Sequence, residues 1–248
     1  MQVDEKWSFV AKKEKQCDAD DPRDGDFGDC WDHVALDAES RLVLSVLPGE
    51  RTAATAEQLI REVHRRTGGR TDLLITSDAY PAYEPAIRSL YGTLPEATAS
   101  TSDAADREMP SDLCYATVRK QREGGRVVAV VHAVVFGTLI LLEQMLSRST
   151  VSTNPNTSFV ERNNGTDRRR NGRKHRKTYG FSKDRSVHAA VTFFVTYSYN
   201  FCWPVRTLRV KDAEGRWKHR TPAMVAGLAD HVWSLREWLS FPARTCQS

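Results

Sequence analysis

The sequence predicts a mixed α/β fold in which three antiparallel strands open the sheet, parallel strands follow, and helices flank it. Three observations lead to this prediction. Apolar and β-branched runs separated by turn residues begin the chain. A strand, helix, strand order follows them and favours a parallel connection. Segments with apolar residues at helical spacing then occupy much of the second half.

The individual elements follow from residue patterns and turn signals. Strands are predicted at residues 7–10, 31–36, 41–47, 73–76 and 127–136. Helices are predicted at residues 52–67, 81–91, 158–174 and 183–203, with a short helix or pair within 221–239. Residues 138–146 fit either a helix or a continuation of the core. Thr52 or Thr55 is expected to cap the first helix, and Asp37 is expected to form a hairpin turn.

Length and composition indicate one large domain with a C-terminal helical tail. We place the domain at residues 1–203, with a polar insertion at 12–29 and a variable region at 92–157, and the tail at 204–248. The five cysteines are scattered and odd in number, so neither a disulfide framework nor a zinc-ligand pattern is indicated. No Gly-x-x-x-x-Gly-Lys loop is present, so no nucleotide cofactor is expected.

Apolar runs and the first residues of the chain bear on where the protein resides. No apolar run reaches the roughly 18 residues that a spanning helix needs, so no membrane association is expected. The first ten residues carry Asp4, Glu5 and Lys6, which is not the pattern of a signal peptide. We therefore expect a cytoplasmic protein.

Positive charge is concentrated in one segment. Residues 161–185 hold ten Lys or Arg against three Asp or Glu, a net charge of +7, whereas residues 1–30 hold five against nine, a net charge of −4. Clustered cations of this kind are typical of a surface that binds a nucleic-acid backbone. A solvated helix face is the alternative interpretation. The pattern favours DNA as a partner, with residues 162–185 tracking it.

Three carboxylates are predicted at the edges of regular elements: Asp4, Asp78 and Glu161. Oxygen ligands of this type suit Mg²⁺, and phosphoryl-transfer sites use few carboxylates per ion. Each residue also has a structural interpretation, since Asp78 fits a helix cap, Asp4 a surface charge and Glu161 a solvent-facing helix. Arg168 follows Glu161 by seven residues, which places both on one helix face and suits a contact to a phosphate.

Short motifs in a consistent order link the chain to a known family. They are DEKWSFV at 4–10, GDCW at 28–31, ALD at 35–37, TSDAY at 76–80, FVERN at 159–163, NFC at 200–202 and TPAM at 221–224. Together they resemble the catalytic part of insertion-sequence-one-type DDE transposases. The resemblance covers nearly the whole chain and is weaker over about 92–150.

This resemblance implies a ribonuclease H-like fold, related to that of retroviral integrases, and a DNA transposase activity. The family's three acidic residues map onto Asp4, Asp78 and Glu161, which would hold two Mg²⁺ ions, with Mn²⁺ as a substitute, and its trailing basic residue maps onto Arg168. Such enzymes cleave DNA at transposon ends and transfer the freed 3′-hydroxyl into target DNA, and the expected partners are both DNAs and further copies of the chain. In a bacterial cell the bound protein would lie at the nucleoid.

The sequence departs from the family pattern in two ways that keep alternatives open. A zinc-ribbon and helix-turn-helix region usually precedes the first catalytic residue, whereas this chain reaches Asp4 almost at once, so a truncated or frameshift-dependent product is one expectation. Gly165 and Gly172 also weaken the helix expected after Glu161. The alternatives are a nuclease of the same fold that only hydrolyses DNA, and an inactive DNA-binding remnant.

Overall fold

A mixed six-stranded sheet forms the centre of the protein. The computed structural model describes residues 1–94, 107–175 and 177–242 of the chain. The strands are β1 (Gln2–Val10), β2 (Gly28–Leu36), β3 (Val43–Gly49), β4 (Leu74–Ser77), β5 (Cys114–Glu123) and β6 (Arg126–Phe136). Their spatial order is β3-β2-β1-β4-β5-β6. β1, β2 and β3 are antiparallel, β4 and β5 run parallel to β1, and β6 returns antiparallel to β5.

Helices and short elements complete the described structure. The helices are α1 (Ala53–Arg66), α2 (Tyr83–Tyr91), α3 (Leu139–Arg148), α4 (Ser158–Arg170), α5 (Arg185–Cys202), α6 (Pro222–Val225) and α7 (Leu235–Ser240). Single 3-10 turns lie at Glu14–Gln16, Pro22–Asp24, Gly172–Lys174 and Arg206–Leu208. A separate hairpin joins β7 (Val210–Lys211) to β8 (Trp217–Lys218). No helix in the described ranges is long and apolar enough to cross a membrane.

The sheet is covered on both faces because its strands alternate between two cores. Ala35 belongs to a core with the buried faces of α1 and α2, whereas its neighbour Val34 belongs to a second core with Val160 of α4 and Tyr199 of α5. Successive side chains of a strand point to opposite faces, so one strand can serve both layers. The result is a three-layer arrangement with the sheet in the middle.

Most predicted elements are confirmed, including the three opening antiparallel strands and the parallel addition of β4. The Thr52 side chain accepts a hydrogen bond from the Thr55 amide at 3.2 Å and caps α1 as predicted. Asp37 accepts from the Ser40 amide at 2.9 Å in the β2–β3 turn. Residues 138–146, which fit either a helix or a continuation of the core, form most of helix α3. Residues 95–106 of the predicted variable region at 92–157 lie outside the described residues.

β5 was not predicted from the sequence. Residues 114–118 are buried in the sheet, but residues 119–123 are all exposed in a hairpin that extends beyond the other strands. The exposed half reads Arg-Lys-Gln-Arg-Glu, which has no apolar alternation and therefore gives no strand signal. Its partner β6 supplies the hydrogen bonds that keep it extended.

The predicted boundary between domain and tail falls one residue after α5 ends. Residues beyond it pack against α5, since the Trp233 amide donates to the Phe201 carbonyl at 3.1 Å. The rings of Phe194 and Trp238 also meet edge to face at 5.4 Å. The tail is thus joined to the helix that covers the sheet, and the division at residue 203 stays a prediction.

A buried ionic cluster ties α4 and the following turn to the sheet. Lys6 of β1 forms ion pairs with Asp167 of α4 and, at 3.1 Å, with Asp32 of β2. Asp32 also pairs with Lys174 of the 3-10 turn. All four side chains are at most 9% exposed. Burial opposes ionisation of Asp32, but Lys174 and Lys6 outweigh it and hold the pKa of this carboxyl below its usual range.

Breaking this cluster should destabilise the fold strongly. Asp32→Asn leaves Lys6 paired with Asp167 and removes the ion pair of buried Lys174, and we expect the free energy of unfolding to fall by about 3–5 kcal/mol, because an uncompensated buried charge remains. Urea unfolding measures the loss. The control is Glu57→Gln, which breaks an exposed ion pair with Arg61 and should change stability little. Equal stability of Asp32→Asn and wild type would contradict the assigned role of the cluster.

Candidate active site

Asp4 and Asp78 lie on neighbouring parallel strands. The register pairs Gln2 of β1 with Thr76 of β4, so two residues further along both chains come Asp4 and Asp78. Adjacent strands are about 4.8 Å apart, which brings the two backbones close at this level. β4 ends at Ser77, whose hydroxyl accepts from the Ala79 amide at 3.2 Å while Ala79 adopts a positive φ of 70°. This turn holds Asp78 at the carboxyl end of β4.

Burial and the negative charge of Asp78 both act on Asp4. Burial raises the pKa of Asp4 to about 7, and the negative charges of Asp78 and Glu5 add to the effect. An acid in this environment resists ionisation because the neighbouring charges are of the same sign. The arrangement stores unfavourable negative charge that a bound cation would relieve.

Asn164 of α4 completes the contacts of Asp4. Its amide nitrogen Nδ2 donates to Asp4 Oδ2 at 2.7 Å. Its carbonyl oxygen Oδ1 is buried and has no hydrogen-bond partner among the described residues. A buried amide oxygen without a partner, next to a carboxylate that resists ionisation, is a suitable oxygen donor for a hard cation.

The placement of α4 follows from a series of polar contacts along β1. Gln2 Oε1 accepts from the amides of Phe159 and Val160 at 3.0 Å each and so satisfies the start of the helix. Asn164 then meets Asp4, and Asp167 meets Lys6. These contacts advance in the same direction along strand and helix. α4 therefore lies along β1, and Glu161 comes between the residues that contact Gln2 and the residue that contacts Asp4.

Glu161 is engaged by partners of its own. Its Oε1 accepts from Lys120 Nζ of β5 at 2.5 Å and from Thr157 Oγ1 at 2.7 Å. Burial opposes its ionisation, but these two hydrogen bonds outweigh it and lower the pKa of Glu161. Within the described residues no group of three or more His, Cys, Asp and Glu side chains is arranged to hold a metal ion. The structure thus brings Asp4 and Asp78 together and holds Glu161 at Lys120.

Arg168 lies two turns after Glu161 and is bound to the strand. Its Nη2 donates to the Trp7 carbonyl at 3.1 Å, on the edge of β1. Other cations of the basic segment are similarly engaged. Lys174 belongs to the buried cluster, Arg170 stacks over Tyr199 and Trp203, and Arg185 donates to the Asp26 and Phe27 carbonyls. Part of the predicted DNA-tracking charge therefore has a structural role.

Glu5 is a further carboxylate near Asp78, and its side chain lies on the face of β1 opposite to that of Asp4. Arg51 Nη2 donates to Glu5 Oε2 at 3.0 Å. Burial raises the pKa of Glu5, and the charge of Asp78 contributes in the same direction. Asp78, at the strand end, therefore influences carboxylates on both faces of the sheet. The strand alternation of Asp4 and Glu5 could have predicted their opposite directions.

The contacts of Asn164 with Asp4 and of Lys120 with Glu161 were not predicted from the sequence. Asn164 had a weak signal, since it follows Glu161 by three residues and shares its helix face. Lys120 had none, because its strand was not predicted. Comparison of the chain with protein-family models, curated proteins and solved structures returned no match.

The raised pKa of Asp4 predicts a pH-dependent stability. Asp has a pKa near 3.9 in an unfolded chain, so between about pH 4 and 7 the folded protein binds more protons, and stability falls as pH rises through this window. Asp4→Asn removes this penalty, and in EDTA at pH 8 we expect it to raise the free energy of unfolding by about 2 kcal/mol.

Urea unfolding at pH 5 and pH 8 checks this expectation. Glu161→Gln is the matched control, because its pKa is shifted in the opposite direction and its loss should not stabilise the protein. A lower stability of Asp4→Asn than of wild type at pH 8 would show that the carboxylate is not under electrostatic stress.

Proposed function

We propose that the protein is a metal-dependent DNA transposase with a ribonuclease H-like fold, similar to insertion-sequence-one-type DDE transposases. One observation carries the proposal. Asp4 of β1 and Asp78, which directly follows β4, lie at the same level of the sheet, the negative charge of Asp78 raises the pKa of Asp4, and α4 bearing Glu161 runs along β1. This is the order of elements on which the three carboxylates of such a site would stand.

The sheet supports the proposed fold. Three antiparallel strands followed by two that run parallel to the first, in the order β3-β2-β1-β4-β5 with helices on both faces, is the layout expected from the sequence resemblance. β6 is an antiparallel addition at the edge. The fold assignment therefore rests on topology together with the motifs that carry the resemblance.

The proposed site would take two Mg²⁺ ions, with Mn²⁺ as a substitute, once Glu161 leaves Lys120 and joins Asp4 and Asp78. Asp4 and Asp78 supply carboxylate oxygens, the unpartnered Asn164 Oδ1 is a further donor, and Glu161 is the third carboxylate. When bound, the metals would activate water or a 3′-hydroxyl and stabilise charge on the phosphate. The movement of Glu161 would break the ion pair with Lys120, which is partly exposed and therefore weak, and the hydrogen bond from Thr157.

Cations of the chain would position the DNA. Arg119, Lys120 and Arg122 lie on the exposed half of β5, where Lys120 contacts Glu161, and Arg168 is the proposed phosphate contact near the scissile bond. The guanidinium of Arg168 has five N–H donors, so its bond to the Trp7 carbonyl is compatible with binding a phosphate as well. DNA bound in this way would place the protein at the nucleoid of a bacterial cytoplasm.

A DNA-binding protein without chemistry is the second candidate. The observation in its favour is the bond of Glu161 to Lys120 and Thr157, which holds that carboxylate apart from the Asp4–Asp78 pair. A nuclease that only hydrolyses DNA would use the same residues as a transposase. Cleavage separates the first candidate from the second, and strand transfer separates transposase from nuclease.

Carboxylate substitution tests the activity. On supercoiled plasmid with Mg²⁺ or Mn²⁺ and a labelled DNA end bearing a 3′-hydroxyl, we expect nicking and joining by wild type. Asp78→Asn and Glu161→Gln should each lower both rates at least about 100-fold, because loss of a metal ligand should cost no less than loss of its supporting contacts. Glu57→Gln, an exposed acid on α1, should match wild type.

The outcomes distinguish the candidates. Equal activity in all variants would identify a contaminating nuclease and refute the site. Nicking without joining would favour the hydrolytic nuclease. DNA binding with no cleavage by wild type under either metal would favour the non-catalytic protein.

The proposed homo-oligomer is supported by the free edge of the sheet. No strand in the described ranges pairs with the outer side of β6. Four of its valines are 42–53% exposed, and residues 127–136 include no Asp, Glu, Lys or Arg. Soluble proteins usually protect such edges with charge. An antiparallel pairing with β6 of a second copy would place these apolar side chains next to each other. In each copy, β5 with its basic residues would then be the next strand away from the interface.

A single charge in β6 tests this pairing. In the complex of wild type with DNA, we expect light scattering to give a protein mass, after subtraction of the DNA, of at least twice the 28.0 kDa of one chain. Val130→Lys should reduce it toward one chain, because a twofold axis brings the two lysines near each other. Val210→Lys, at an exposed valine of β7, should leave the mass unchanged. An unaltered mass for Val130→Lys would place the contact elsewhere.

A further inference from the structure

The edge of β1 beyond β4 borders a cavity. β4 has four residues against nine in β1, and its ladder with β1 extends no further than Gln2. Within the described residues, the next pairing on this side of β1 is the bridge between Val10 and Ser182. In the interval a cavity of about 390 Å³ opens against Trp7, Ser8 and Phe9.

The charge around this cavity is entirely positive. Its lining includes Lys13, Arg168, Arg173, Lys174 and Lys177 and no acidic residue. Lys174 is neutralised by Asp32. In the described part of the chain, Lys13, Arg173 and Lys177 make no ion pair with a carboxylate. The cavity is therefore suited to an anion, and Arg173 and Lys177 are cations of its lining that no ion pair among the described residues holds.

Two aromatic rings form part of the wall. The ring centroids of Trp7 and Phe9 are 5.8 Å apart at an interplanar angle of 34°, and Phe9 continues to Phe181 at 5.2 Å. Lys13 Nζ lies 5.8 Å from the Trp7 ring centroid. Aromatic faces beside cations match the combination of a base and a phosphate.

We propose that this cavity binds one unpaired nucleotide of a DNA strand, with its base stacked on Trp7 and its phosphate held by Arg173 and Lys177. The volume lies at the lower end of the roughly 300–1,000 Å³ of small-ligand sites, which suits one nucleotide. An inorganic anion would leave the rings unused, and an uncharged aromatic ligand would leave the cations unused.

The cavity opens at the edge of β1 that β4 leaves uncovered. Trp7 follows Asp4 by three residues of one strand, a distance of about 10 Å, and its side chain lies on the opposite face of β1, the face of Glu5. The inference rests on the proposed function for its choice of DNA as the ligand, and it assigns a specific place to a nucleotide near the reacting phosphate.

Binding in EDTA tests the cavity without requiring catalysis. The probes are a fluorescent ten-nucleotide thymidylate strand and a ten-unit abasic strand of equal charge. Wild type should prefer the thymidylate strand about tenfold, as expected for base stacking on an aromatic side chain. Trp7→Leu should lose most of this preference and Trp7→Phe should keep most of it. Trp217→Leu removes an exposed tryptophan that also lies beside two cations, and it should behave as wild type.

A second variant separates the phosphate contact from stacking. Arg173→Ala should weaken both strands equally and reduce the salt dependence of binding by about one counterion. Equal binding of both strands by wild type, or equal losses in Trp7→Leu and Trp217→Leu, would overturn the proposal. Competition by free thymidine monophosphate as potent as that of the strand would overturn the assignment to DNA. Base preference in EDTA without cleavage in Mg²⁺ would refute the proposed transposase function and support the nucleotide site in the cavity. Cleavage in Mg²⁺ without base preference would support the proposed function and refute the nucleotide site.

Discussion

The buried ionic cluster of Lys6, Asp32, Asp167 and Lys174 is the constraint on which the candidate site depends. It joins β1, β2, α4 and the turn after α4 at one point in the interior. Removing one member leaves a charge without compensation in a region closed to water. The helix that carries Glu161 and Asn164 is therefore fixed along β1 by a contact outside the site itself.

The cluster also explains why Asp4 keeps an unfavourable environment. Lys6 lies two residues after Asp4 on the same face of β1, yet its charge is used by Asp32 and Asp167, and the four charges of the cluster cancel. The main charges acting on Asp4 are then those of Asp78 and Glu5, both negative. Burial is the first cause of the raised pKa of Asp4 and these charges add to it, which supports the proposal that Asp4 binds a cation.

The sequence predicted the features that depend on local pattern. The opening hairpins, the Thr52 cap of α1 and the position of Asp78 after a short strand all follow from periodicity and turn residues. The cluster could not be predicted, because its partners are up to 161 residues apart and charged side chains are usually exposed. Lys120 was missed with β5, whose outer half is held extended by β6 and not by its own composition.

The difference in length between β1 and β4 unites the candidate site and the cavity. Because β4 stops at Ser77, the chain turns away with Asp78 at the strand end, and the edge of β1 beyond Asp4 is left without a neighbouring strand. Backbone groups on that edge need other partners, and Arg168 supplies one by binding the Trp7 carbonyl. The basic turn after α4 then lies beside the rings of Trp7 and Phe9. A longer β4 would pair with this edge and cover it. The short strand therefore places Asp78 near Asp4 and also leaves the cavity beside β1 accessible.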